Sequence, residues 1–263
     1  MPYFEYDGIT LYYEQHGNGQ PLLMLAGLAS DSQSWLPVLE VLSNSFRLIL
    51  MDNRGVGRST QDCDISIKYM ADDCAALAKE LGLSKLFLLG HSMGGMVAME
   101  SVRRYPELFE RLILVGTGAK NSARNNILFQ DWAEMYESAY NPALWFRSIF
   151  SWIFSERFFE NRKLVDASIA CLLNYQWPQS PVAFRKQVEA IALFDATDWL
   201  DRIRIPTKVI VGSDDILLPL ACSKELAERI PGATLSVIRG AAHSIHTESA
   251  EEFINEVMIF LAD

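Results

Sequence analysis

Histidine and cysteine are both scarce in this chain, at 4 residues each in 263. Cys63, Cys74, Cys171 and Cys222 stand far apart, with no C-x-x-C pair and no histidine clustered beside them. That spacing argues against a disulfide framework and a cysteine-rich zinc site, and it fits a reducing compartment. Long apolar runs are also missing: no stretch approaches the ~20 residues that a membrane-spanning helix needs. The N-terminal Met1-Pro2-Tyr3-Phe4-Glu5-Tyr6-Asp7 carries acid where a secretory leader has a basic region followed by an apolar run. The expectation is a cytoplasmic protein with no membrane association. Basic charge is short as well, 23 Lys+Arg against 33 Asp+Glu, for a net charge of −10. A surface of that sign repels phosphate backbones, so no nucleic-acid partner is expected.

What the chain has is apolar mass. Hydrophobic residues make up 50% of it, enough for a large core. Short apolar runs at 22–25, 46–51, 86–89, 112–115, 209–211 and 235–238 read as buried strands. Residues 35–42, 67–81, 93–104 and 250–261 carry helical spacing, and Gly82 stops the second of these. Ile9 to Glu14 alternates weakly before Gly17-Asn18-Gly19, a turn signal that predicts a β-hairpin. Strands alternating with helices predict an α/β fold, a mostly parallel doubly wound sheet covered on both faces.

Residues 120–200 break this rhythm, because no clear strand falls among them. Five of the 6 tryptophans lie here (Trp132, Trp145, Trp152, Trp177 and Trp199). Phe129, Tyr136, Tyr140, Phe146, Phe150, Phe154 and Phe158 join them at roughly helical intervals. This segment is expected to be a helical lid inserted into a core made of 1–119 and 201–263. Most of its rings serve to glue it down, and a few are expected to line an apolar pocket.

Chemistry enters at Gly90-His91-Ser92-Met93-Gly94, between an apolar strand and a helix. This is the G-x-S-x-G nucleophile elbow. The turn is so tight that a Cβ at either flanking position would collide. The serine takes a strained backbone conformation that lifts its hydroxyl over a helix N-terminus, where free N–H groups favour developing negative charge.

A serine hydroxyl needs a base, usually a histidine held by a carboxylate. With 4 histidines, elimination is possible. His16 sits beside a surface turn and reads as solvated. His91 abuts the serine and must point away from it, so it reads as packed locally. His243 closes a small-residue loop after a strand, where an imidazole reaches the carboxyl edge of the sheet. His246, just before the last helix, reads as structural. His243 is therefore the expected base, and rate is expected to fall on acidification as it takes a proton. The carboxylate lies in Gly212-Ser213-Asp214-Asp215, and spacing leaves Asp214 and Asp215 both open.

In order, this elbow, Asp-x-Arg-Gly-x-Gly-x-Ser at 52–59, Gly-x-x-Asp-x-x-x-Pro at 212–219 and the late Gly-x-x-His resemble the α/β-hydrolase superfamily. They look most like its small serine esterases, enol-lactonases and haloperoxidase-like members. In that family a proline follows the acid by four residues, which implies Asp215, with Pro219 in place. The resemblance also implies an oxyanion hole made by the backbone N–H groups of Met93 and Leu28. The histidine that braces the latter loop in relatives is Ala26 here. Haloalkane dehalogenases of this fold carry aspartate at the elbow, so that chemistry is excluded.

The resemblance implies cleavage of a small ester or lactone through an acyl-enzyme, with no metal or organic cofactor, by a monomer or homodimer. C–C bond hydrolysis, acyl transfer and ligand sensing with little turnover are the alternatives on the same fold. Arg147, Arg157 and Arg162 are candidates to hold a substrate carboxylate, although each reads more simply as a solvated arginine.

Overall fold

The computed structural model describes residues 2–138 and 141–262, so Tyr140 lies outside the described residues. The chain opens with β1 (Tyr3–Tyr6), β2 (Ile9–His16), β3 (Gln20–Leu25), α1 (Leu36–Ser43) and β4 (Phe46–Met51). Next come α2 (Ile67–Glu80), β5 (Leu86–His91), α3 (Met93–Arg104) and β6 (Phe109–Val115). Five helices follow, with no strand between them among the described residues: α4 (Ala123–Glu137), α5 (Pro142–Ile153), α6 (Glu156–Glu160), α7 (Arg162–Leu173) and α8 (Pro181–Leu193). The chain then returns to the sheet through β7 (Thr207–Gly212), α9 (Leu220–Arg229), β8 (Thr234–Ile238), α10 (Ile245–Glu248) and α11 (Ala250–Ala262).

The eight strands form one sheet in the order β1-β2-β4-β3-β5-β6-β7-β8, parallel from β4 to β8. Alternation along each strand explains why both faces are covered. Leu23 and Leu25 of β3, and Leu86 and Leu88 of β5, join the core beneath α2 and α3. Leu22 and Met24, with Phe87 and Leu89, point the other way into a second core with Val38 and Leu42 of α1 and Phe253 and Val257 of α11. Helix α2 has the matching stripe. Its Met70, Cys74 and Leu77 are buried, and the Ser66 side chain caps its start by accepting from Tyr69 N.

The hairpin expected at Gly17–Gly19 does not form. Strand β4 lies between β2 and β3, so this turn connects strands that do not pair. It crosses the chain entering β4 so closely that a Cβ on Gly17 would stand 2.1 Å from the Ser43 carbonyl oxygen. The glycines are needed for that approach. The actual hairpin joins β1 to β2 through Asp7 and Gly8, at φ 52° and 75°. That Asp-Gly signal was readable, but only four residues of strand precede it.

The two ends of the five-helix segment meet. Ala196 N donates to Ala119 O at 2.8 Å, and Lys120 bridges Asp195. Among the described residues no helix is long and apolar enough to cross a membrane. All four cysteines are free.

Candidate active site

Ser92 follows β5 and forms the turn into α3, with φ 55° and ψ −119°. Its neighbours show why the elbow needs its glycines. A Cβ on Gly90 would lie 2.2 Å from the Gly94 carbonyl oxygen, and one on Gly94 would lie 2.2 Å from that of Leu25. Both obstacles are backbone, so nothing can swing aside. Met93, first in α3, has no carbonyl within the helix for its N–H. The N–H of Leu28, in the loop after β3, makes no hydrogen bond to another group among the described residues.

That loop lacks the bracing histidine of relatives, and other groups hold it. Asn53 Nδ2 donates to Ala26 O at 3.3 Å. Ala29, at φ 57°, donates its N–H to Gln187 Oε1 at 3.1 Å. Gln187 is fully buried in α8 and also donates to Arg54 O. A helix of the 120–200 segment thus fixes the loop from above.

His243 and Asp215 meet, with Nδ1 donating to Oδ2 at 2.8 Å, and both are buried. The other Asp215 oxygen accepts from Leu217 N at 3.0 Å and Leu218 N at 2.8 Å, so the carboxylate cannot rotate freely. Asp214 is exposed and accepts only the Ser213 hydroxyl. With its Nδ1 hydrogen donated, a neutral His243 keeps a lone pair on Nε2. Ser92 and His243 line one cavity of about 400 Å³, together with Leu28. Among the described residues the Ser92 hydroxyl makes no hydrogen bond to the ring.

Polar contacts of three further residues, Glu248, Asn125 and His91, escaped the sequence reading because each reaches a part of the chain about 90 or more residues away. Glu248 accepts from Ser155 N at 3.0 Å, from the Ser155 hydroxyl at 2.6 Å and from Ala242 N at 3.1 Å. It ties the end of α5 to the His243 loop, and Ser244 N donates to Ile153 O beside it. Asn125 of α4 donates to Leu217 O at 2.7 Å, on the Asp215 loop. His91 Nε2 donates to the His243 carbonyl at 3.0 Å. His91 therefore supports the loop that carries His243, which goes beyond local packing. His16 is also more than solvated, since it contacts Glu14 at 2.9 Å.

His91 and His246 pack ring to ring at 4.7 Å. Burial pushes the His246 imidazole down to about 3 and that of His91 well below its ordinary value. His246 Nδ1 is buried with no partner, so nothing offsets the desolvation of a charge there. Unfolded, the same ring titrates near 6.5. Between these values the unfolded chain holds a proton that the folded chain refuses, so stability is full above about 6.5 and is lost as pH falls below it. Each such ring contributes a slope of up to about 1.4 kcal/mol per pH unit. Urea titrations at pH 7, 6 and 5 should show a shallower loss in His246→Leu than in the parent. Equal slopes would refute this assignment.

Arg147, Arg157 and Arg162 do not reach the cavity. Arg147 and Arg162 contact Asp166, and Arg157 donates to Glu248 O. Phe129, Trp132, Phe150, Phe154 and Phe184 of the 120–200 segment do line it.

Comparison with known proteins agrees with this fold. The family model described as the alpha/beta hydrolase fold matches residues 20–250. A protein of Azorhizobium caulinodans named "Putative carbamate hydrolase RutD" is 30% identical, the match covering 98% of this chain and 97% of that one. A thermophilic esterase from Thermogutta terrifontis is 29% identical with a TM-score of 0.87, over 99% of this chain and 96% of that chain. An enol-lactonase from Burkholderia xenovorans LB400 is 25% identical with a TM-score of 0.86, over the full length of both. The chain belongs to the α/β-hydrolase superfamily, and it is a hydrolase.

Proposed function

We propose that this protein cleaves carboxylic esters or lactones that carry no anionic group, through an acyl-enzyme formed on Ser92. The observation that carries this reading is the His243–Asp215 pair, 2.8 Å apart, whose histidine shares a cavity with a serine held at a strained elbow. His243 Nε2 takes the hydroxyl proton as Ser92 Oγ bonds to the substrate carbonyl carbon. The tetrahedral oxyanion is received by the N–H groups of Leu28 and Met93, each worth about 2.7–4 kcal/mol in the barrier. The C–O bond to the alcohol then breaks, and the alcohol leaves with the proton from His243. Water attacks the acyl-enzyme and gives its proton to the same ring, the acyl bond to Ser92 Oγ breaks as that proton returns to the serine, and the acid is released. Asp215 holds the imidazole in the required tautomer throughout. Residues 120–200 serve as the lid over a core of 1–119 and 201–263.

The substrate class follows from the cavity walls. Among the described residues no Lys, Arg, Asp or Glu lines it, and its surface is mostly aromatic and aliphatic. A free carboxylate there would lose its hydration with no cation to replace it. This favours neutral esters and lactones over carboxylate-bearing enol-lactones. Carbamate cleavage, suggested by the name of the relative, would use the same attack, but apolar walls suit a larger acyl group than a small polar carbamate carries. The test is a screen of graded neutral esters, lactones, carboxylate-bearing lactones and carbamates. Within that series, medium-sized esters or lactones without a carboxylate should give the highest kcat/KM. A clear preference for anionic lactones or small carbamates would overturn the substrate class.

A further inference from the structure

A second cavity, of about 70 Å³, adjoins the first and shares Ala29 and Leu172 with it. Five aromatic rings line it: Tyr136, Trp145, Phe146, Tyr175 and Trp177. Tyr175 and Trp177 meet nearly at right angles, at 82°, and form a corner. One carboxylate lines the same cavity, that of Asp31, which is only 6% exposed. Gln179 lines it too, and its amide oxygen is buried with no hydrogen-bond partner.

The charge on Asp31 is only partly balanced locally, by the attraction of Arg58, whose guanidinium lies 4.4 Å from the centre of one face of the Trp177 ring. Its oxygens accept from Gln33 N, which caps the turn at Ser32–Trp35, and from the Tyr175 hydroxyl. Asparagine or serine would cap that turn as well. Among the described residues no cation lies within ion-pair distance of Asp31. The nearby Arg58 is already engaged, at 3.2 Å by Asp52 and at 3.0 Å by Glu14. Three carboxylates therefore surround one guanidinium, and the excess charge is negative. Burial also pushes the Asp31 carboxyl above its ordinary range. A cation in the cavity would offset that cost. Aromatic walls with a desolvated carboxylate match an organic ammonium, whose diffuse charge is attracted to ring faces and is cheaply dehydrated.

We propose that the cavity walled by Tyr136, Trp145, Tyr175 and Trp177 and charged by Asp31 is a subsite for an alkylammonium group of the substrate. The link to substrate rests on the ester-hydrolase reading, while the binding itself does not. The apolar part of the ester occupies the larger cavity, and the ammonium group sits beyond Ala29. The acidic protein, at −10, draws such substrates in at long range.

The probes are (2-hydroxyethyl)trimethylammonium and its neutral isostere 3,3-dimethylbutan-1-ol, titrated calorimetrically into Ser92→Ala protein. The cation should bind about tenfold more tightly than the alcohol. Asp31→Asn, which keeps the capping oxygen, should bring that ratio close to one, and Trp177→Leu should weaken the cation about threefold or more. The corresponding pair of butyrate esters should show the same preference in kcat/KM with the unaltered enzyme. Equal binding of cation and alcohol, or no cation binding up to about 50 mM, overturns the inference. So does a parent-like preference in Asp31→Asn. Hydrolysis of both esters without preference overturns it while leaving the ester-hydrolase reading standing. Hydrolysis of neither removes that reading, and the calorimetric ratio still decides the cavity.

Discussion

Replacing Ser92 by alanine is expected to abolish turnover, with kcat falling by about a millionfold on any ester the protein cleaves. That is the scale seen when the nucleophile is removed from a coupled triad. The fold should survive. Ser92 already occupies φ 55°, and alanine is no worse there than serine. Its hydroxyl makes no hydrogen bond among the described residues, so none is lost on truncation. The change in unfolding free energy should stay within about 1 kcal/mol. A fluorophosphonate should label the parent on the peptide carrying Ser92 and leave Ser92→Ala unlabelled. Retention of more than about 1% of parent activity would remove Ser92 as nucleophile.

Asp215→Asn should lower kcat by about ten-thousandfold. The reason lies in the second oxygen. Asp215 Oδ1 accepts from the amides of Leu217 and Leu218, and only an oxygen can do so. Asparagine must therefore turn its NH₂ toward His243 Nδ1. That nitrogen becomes the acceptor, the ring proton moves to Nε2, and the base is blocked. Asp214→Asn provides the contrast. Asp214 is exposed, bonded to a neighbouring hydroxyl, and should keep activity within about twofold. Similar losses in the two variants, measured as kcat on one ester, would refute the assignment of Asp215.

The elbow was legible because its cause is local. Two glycines flank a serine between an apolar strand and a helix, and the collisions that demand them involve backbone a few residues away or in the adjacent strand. The misplaced hairpin shows the opposite case. Gly17 and Gly19 do announce a tight passage, but what crowds Gly17 is the Ser43 carbonyl, and no local pattern says that β4 inserts between β2 and β3. Gln187, Asn125 and Glu248 were invisible for a related reason. Each looks like an ordinary polar helix residue, and each acquires a role only by reaching a loop from a distant part of the chain. The aromatic rings of residues 120–200 divided between two cavities in a way that their spacing along the helices could not foretell.

By itself the sequence determined the layered α/β architecture, the kinked serine and the short choice of partners for it. Hydrophobic period and backbone sterics act over a few residues and leave their mark in the letters. Only the tertiary structure brought Asp215, and not Asp214, into contact with His243, kept charged side chains among the described residues out of the main cavity, and set Asp31 among aromatic rings. These outcomes depend on which surfaces meet after the chain has crossed over itself, and burial and long-range hydrogen bonding belong to the assembled layers alone.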